Sequence, residues 1–93
     1  TEDKFIKSLK RLSSRKTLIA LEFRTTKDEL MNKGKIVGKY ERITDHYRRF
    51  IETEKFKRKI NEDFNIIYKI EKMGLSKKIN DNPYLCRLIF KKK

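Results

Sequence analysis

Ninety-three residues suit one domain, 1–93, with a single modest core, and 37% hydrophobic content excludes a disordered polar tail. Twenty-six Lys and Arg against thirteen Asp and Glu leave a formal charge of +13, a field that favours polyanions such as DNA, RNA or an acidic surface. No apolar run approaches the roughly 20 residues of a bilayer span, Thr1 opens no signal-peptide pattern, and the lone Cys86 excludes an internal disulfide. A soluble intracellular chain is expected, with no membrane partner, and the start without Met in an amphipathic stretch suits a fragment.

The first segment, "DKFIKSLKRL", puts Phe5, Ile6, Leu9 and Leu12 at helical spacing, with Lys7, Lys10 and Arg11 opposite. In "SSRKTLIALEF", Ser13 or Ser14 can cap a second helix whose apolar residues are Leu18, Ile19, Leu21 and Phe23. "RTTKDELMNKG" has capping-box spacing from Thr26 to Glu29, so a helical turn ending at Gly34 competes with a loop. "KIVGKYERITDHYRRFIE" lines up Ile36, Val37, Tyr40, Ile43, Tyr47 and Phe50 as a third helical stripe, weakened by Gly38.

"TEKFKRK" reads as a basic connection. In "NEDFNIIYKIEKMG", Asn61 is a natural N-cap, and Glu62 and Asp63 suit a first turn. Phe64, Ile67, Ile70 and Met73 form the stripe, and Gly74 suits the left-handed stop. "LSKKI" and "YLCRLIF" flank "NDNP", whose turn chemistry predicts a hairpin with Tyr84, Cys86, Leu88 and Phe90 on one strand face.

Four helices and a hairpin predict an α+β, mostly helical fold: a winged helix, with a helix-turn-helix core and a C-terminal β-hairpin wing. Several segments resemble one known family in order and spacing: Leu12, Ser13 and Leu18, then Ile36, Val37 and Tyr40. Ile70, Glu71, Met73, Gly74 and Leu75 follow, with Arg87 and Leu88 as the closing strand match. They resemble the C-terminal winged helix of the replication-initiator ATPase family. That family includes the origin recognition complex large subunit, its cell-division-cycle loader relative and the yeast silent-information-regulator paralogue. The resemblance implies the C-terminal fragment of a larger ATPase-like chromatin or replication protein. It implies heterochromatin silencing or DNA replication, a nuclear location (cytoplasm or nucleoid if archaeal) and homodimerisation. Its implied partners are DNA or nucleosomal chromatin and other subunits of a silencing or origin complex. The alternative is a sequence-tolerant duplex DNA-binding domain of an initiator without self-association.

The phosphate-binding loop of that family's ATPase module is absent from these residues. A winged-helix dock assigns DNA contact to Lys55, Lys57, Arg58 and Lys59 before the last helix. Asn65, Lys69 and Lys72 lie on that helix, and Lys77 and Lys78 on the hairpin, with Lys91, Lys92 and Lys93 closing the chain. Glu62 and Asp63 at the reading end disfavour phosphate, so contact without base recognition is expected. Lys7, Lys10, Arg11, Arg15 and Lys16 form a second cluster, and Lys39, Arg42, Arg48 and Arg49 a third.

Apolar residues beyond the needs of one core suggest a self-association interface of Phe56, Ile66, Tyr68, Leu85 and Ile89. One His, one Cys and scattered carboxylates give neither a zinc set nor a nucleophile–base pair. His46 reads as structural, Cys86 as core and the tyrosines as core or interface. No enzyme, cofactor or metal is expected. An RNA or ribosomal partner is a third reading, although no RNA-recognition signature is present.

Overall fold

The computed structural model describes residues 2–78 and 81–93. Its elements run α1 (Glu2–Leu12), β1 (Leu18–Arg24), a 3₁₀ turn (Glu29–Asn32), β2 (Lys35–Gly38), β3 (Glu41–Ile43), β4 (Tyr47–Arg49), α2 (Thr53–Asp63), β5 (Phe64–Lys72) and β6 (Leu85–Lys92). The strands form two three-stranded antiparallel sheets, ordered β1-β6-β5 and β2-β3-β4. This architecture replaces the expected winged helix: only the first of the four expected helices is where the spacing placed it.

The difference begins at β1. Leu18, Ile19, Leu21 and Phe23 satisfy a loose helical spacing, but Ile19, Leu21 and Phe23 also alternate with Ala20 and Glu22. Antiparallel pairing with β6, from Leu18↔Lys91 to Arg24↔Leu85 without interruption, selects the alternation. The expected third helix is instead three short strands, β2 to β4, which turn at Lys39–Tyr40 and around His46. Gly34 adopts φ 75°, and a Cβ there would collide with the Ile43 carbonyl, so the glycine lets β2 start against β3. The 3₁₀ turn before it is capped by Asp28 rather than Thr26.

The "basic connection" is helix α2. The Glu52 side chain accepts hydrogen bonds from the backbone N–H groups of Glu54 and Lys55, and Phe56 and Ile60, four residues apart, are both buried. Asn61, Glu62 and Asp63 therefore end a helix instead of starting one, and the expected recognition helix is strand β5. Phe64-Asn-Ile-Ile-Tyr is aromatic and β-branched, which suits a pleated surface. Gly74 does take the left-handed conformation, φ 85°, but it follows a strand. The expected strand at Tyr84–Phe90 is β6, Leu85–Lys92, with Cys86, Leu88 and Phe90 on the predicted face, yet its partners are β1 and β5 rather than "LSKKI"; Ile79 and Asn80 of that hairpin lie outside the described residues.

The last strand thus sits in the middle. β1 and β5 both run antiparallel to it and so parallel to each other, joined by a crossover that contains the small sheet and α2. Both helices pack on one face, where Ile6, Phe56, Ile60, Phe64, Cys86, Leu88 and Phe90 form the core. Edge-to-face ring pairs, Phe23–Phe56 at 5.3 Å and Phe64–Phe90 at 5.1 Å, knit it together. Burial and the nearby Glu71 carboxylate push the Cys86 thiol up to about 11, in keeping with a core role.

Asp28 fixes the far end of this sheet. Fully buried, it accepts from the N–H groups of Leu30 and Tyr84 and from Arg24, whose guanidinium also reaches Asp81 at 2.6 Å. Burial opposes the Arg24 charge, but both carboxylates more than offset it, so its pKa is raised. The hydrogen bond from Arg24 lowers the Asp81 pKa below its ordinary 3.8. Asp81 therefore contributes stability above pH 3.8 that fades as pH falls through its lower folded value. In acid titrations followed by circular dichroism, Asp81→Asn is expected to flatten the loss of stability below about pH 4.

Candidate nucleic-acid interface

Ion pairs hold part of the cation excess. Arg24 is held by Asp28 and Asp81, Lys27 by Glu71 at 3.4 Å, Arg48 by Asp45 at 3.3 Å and Arg87 by Glu22. Arg42 is buried, donating to the carbonyls of Met31, Gly38 and Glu41, and so belongs to the fold of the small sheet.

Among the residues assigned to DNA contact, Lys57 pairs with Glu54 at 3.6 Å and Lys69 with the same carboxylate at 3.4 Å. Attraction by Lys57 first, then the Lys69 hydrogen bond, lowers the Glu54 pKa. Lys59 bridges Glu2 and Asp3, each at 3.3 Å; burial opposes its charge, but those carboxylates prevail and raise its pKa. These three cations already have carboxylate partners. Lys55 and Arg58 are exposed on α2, and Lys77 and Lys78 are exposed beyond β5. Asn65 and Lys72 stand near opposite ends of β5, roughly 23 Å apart at strand rise. Of the assigned set, the fold brings Lys57 and Lys69 to one carboxylate and sets Asn65 and Lys72 at opposite ends of β5.

The fold gathers a different set. Strand register places Lys91 opposite both Leu18 and Asn65, and Lys92 opposite Phe64. The Lys93 N–H donates to the Asp63 carbonyl at 3.0 Å. Lys92 Nζ donates to the Lys10 carbonyl at 2.9 Å and the Ser13 carbonyl at 3.4 Å, capping the negative end of the α1 dipole. The C-terminal end of β6 is thereby tied to the end of α1.

Between α1 and β1 the chain makes a tight turn. The Ser14 N–H donates to Thr17 Oγ1 at 3.1 Å, the Lys16 N–H to Ser14 Oγ at 3.3 Å, and the Thr17 N–H to the Ser14 carbonyl at 3.0 Å. Arg15 and Lys16 are exposed on this turn. Arg11, Arg15, Lys16, Lys91 and Lys93, drawn from both ends of the sequence, thus share one pole of the main sheet. None of the five has an ion pair among the described residues. Lys10 lies beside them but is paired with Asp63 at 3.0 Å, and Ser13 Oγ is buried there without a hydrogen-bond partner among the described residues.

The sequence showed both halves of this pole as separate clusters. Only the central position of β6 joins them, and no local signal encodes that.

The residues assigned to self-association also divide. Phe56 is 1% exposed and Leu85 5% exposed, and Phe56 belongs to the core, so neither offers its side chain to a partner in this fold. Ile66 packs against the core from its margin. Tyr68 and Ile89, paired across β5 and β6, lie on the sheet face away from the helices, and Tyr68 is exposed.

His46 sits exposed in the β3–β4 turn, its Nδ1 3.2 Å from Asp45. Among the described residues no group of His, Cys, Asp and Glu has the makings of a metal site, and no helix is long and apolar enough to cross a membrane. No family model matches the chain, and no curated protein matches it closely.

Proposed function

We propose that this chain is a non-catalytic binding module that grips nucleic acid by its phosphate backbone without reading bases. The observation that carries the proposal is the pole of Arg11, Arg15, Lys16, Lys91 and Lys93, cations from distant parts of the sequence gathered by strand register and left without carboxylates. Cations already paired contribute little to a polyanion, because each must first give up its partner; free ones release condensed counterions directly. Flexible Lys and Arg side chains on a turn and at a strand end suit the irregular spacing of phosphates. They present no helix or ribbon to a groove, so the reading is sequence-tolerant. Silencing or origin complexes and homodimerisation, which the resemblance implied, are not required for it.

Fluorescence anisotropy of a labelled duplex tests the proposal. Neutralising five phosphates predicts that log K falls with log salt at a slope of about −4.5, with little difference between unrelated sequences. Replacing the five pole residues with Gln is expected to flatten the slope to near that of the remaining scattered charge. Replacing Lys33, Lys35 and Lys39 instead should leave most of it. Absence of duplex binding at low salt, or equal slopes for the two variants, would overturn it.

A further inference from the structure

Both helices pack on one face of the main sheet and leave the middle of the other open. Cross-strand register lays two rows over the open face: Leu18, Lys91 and Asn65, then Ala20, Ile89 and Tyr68. The first row joins the basic pole through Lys91. In the second, the Tyr68 ring is 46% exposed, and the small side chain of Ala20 leaves a depression of about 260 Å³ between Tyr68 and the Glu22–Arg87 pair. The sheet thus sets an exposed aromatic ring, on an apolar floor, beside the free cations.

The charges on this face favour a polyanion. Among the described residues of the three strands, Glu22 is the carboxylate that points there, and it is bonded to Arg87. Arg24 is held by Asp28 and Asp81. Lys91 at one end of the face and Lys72 at the other have no ion pair among the described residues. A second copy laid along the strands in either direction would set lysine against lysine at both ends. Nucleic acid instead supplies phosphates for the ends and flat apolar rings for the middle.

We infer that a single-stranded nucleic acid held at the pole seats one unpaired base on this face, stacked on the Tyr68 ring beside Ala20 and Ile89. This seating depends on the phosphate grip proposed for the pole, and it names single strands as the form that gains from it. Two residues of strand rise put Ile89 about 7 Å from Lys91, a span that one sugar bridges between a phosphate and its base. In a duplex the bases already stack on one another, so the pole holds a duplex by phosphates alone. Stacking tolerates any sequence, because every base has a π-face.

Two labelled oligomers of equal length, oligothymidylate and its abasic counterpart, test this by anisotropy on the unmodified protein. They carry the same phosphates and differ in their bases. Oligothymidylate is expected to bind about tenfold more tightly, the gain from stacking one base, and both should weaken alike as salt rises. Tyr68→Ala should erase that difference and leave the affinity for the abasic oligomer unchanged, whereas Tyr68→Phe, which keeps the ring, should retain it. Circular dichroism establishes that both variants fold. Equal binding of the two oligomers by the unmodified protein would overturn the seating and leave the phosphate grip standing; binding of neither would overturn both. A base-dependent gain that survives Tyr68→Ala would overturn the seating too. So would concentration-dependent dimerisation that excludes oligothymidylate, by giving the face to a second copy.

Discussion

Asp28→Ala is expected to destabilise the domain by about 3–5 kcal/mol, read as a lower urea midpoint at an unchanged slope. Asp28 joins three parts of the chain that local structure would not connect. One carboxylate oxygen caps the 3₁₀ turn through the Leu30 N–H at 2.9 Å. The other accepts the Tyr84 N–H at 2.9 Å and Arg24 at 3.0 Å, and so anchors the segment leading into β6. Alanine would leave two backbone donors without partners at a site that is 2% exposed, and would halve the compensation of a guanidinium that is itself 18% exposed. A domain of this size has about 5–15 kcal/mol in total, so much of the population would unfold on modest warming. Asp28→Asn, which keeps an acceptor of the same shape but no charge, should lose less. An effect on Asp28→Ala below 1 kcal/mol would contradict the assigned network (scale for one ordinary hydrogen bond).

Phe90→Ala is the second large effect, expected at about 3–5 kcal/mol. Phe90 lies on the central strand, fully buried, and meets the Phe64 ring edge to face. The strands on both sides and the helices above all use it, so the cavity has little means to collapse. Leu12→Ala provides the contrast. Sequence spacing put Leu12 on the same apolar stripe as Ile6 and Leu9, yet it is 79% exposed, and its truncation should change stability by about 0.5 kcal/mol or less. Similar losses for the two variants in chemical denaturation would contradict the placement of the core.

What the sequence made legible follows from the range of the forces involved. α1 was readable because everything that makes it a helix is local: an acidic first turn, a basic last turn, and Ile6 and Leu9 at helical spacing. Phe64–Lys72 was not. Phe64, Ile67, Ile70 and Met73 fit a helical period, and Gly74 fits a helical stop, so two periods competed on the same residues. The pairing of β5 with β6 across an intervening segment decided the matter, and Ile67, counted as buried in the helical reading, is 57% exposed at the bulge. α2 was hidden in a different way. Its core residues Phe56 and Ile60 are flanked by so many cations that charge dominated the reading, and the cap is Glu52 rather than the more familiar Ser, Thr, Asp or Asn. On β6 the alternation of Cys86, Leu88 and Phe90 was plain, but alternation gives a face and says nothing about which strands lie alongside.

The site followed the same division. Composition carried the expectation of a polyanionic partner, because net charge needs no fold. Which lysines remain free depends on tertiary ion pairs such as Lys59 with Glu2, separated by most of the chain. It also depends on a central strand whose end meets the α1–β1 turn. The winged-helix order placed the contact around what are α2, β5 and the segment after it; the site proposed above draws instead on the α1–β1 turn and the end of β6. The fold itself argues for no function, and the proposal stands on the charges it gathers.

The most direct measurement is a nitrogen–proton correlation spectrum recorded during titration with a short duplex. The largest amide shifts are expected at Arg11–Lys16 and at Lys91–Lys93, weakening together as salt is raised, with β2 to β4 nearly still. Shifts centred on Lys55–Lys59 and Lys77–Lys78, or no shifts at low salt, would contradict the account.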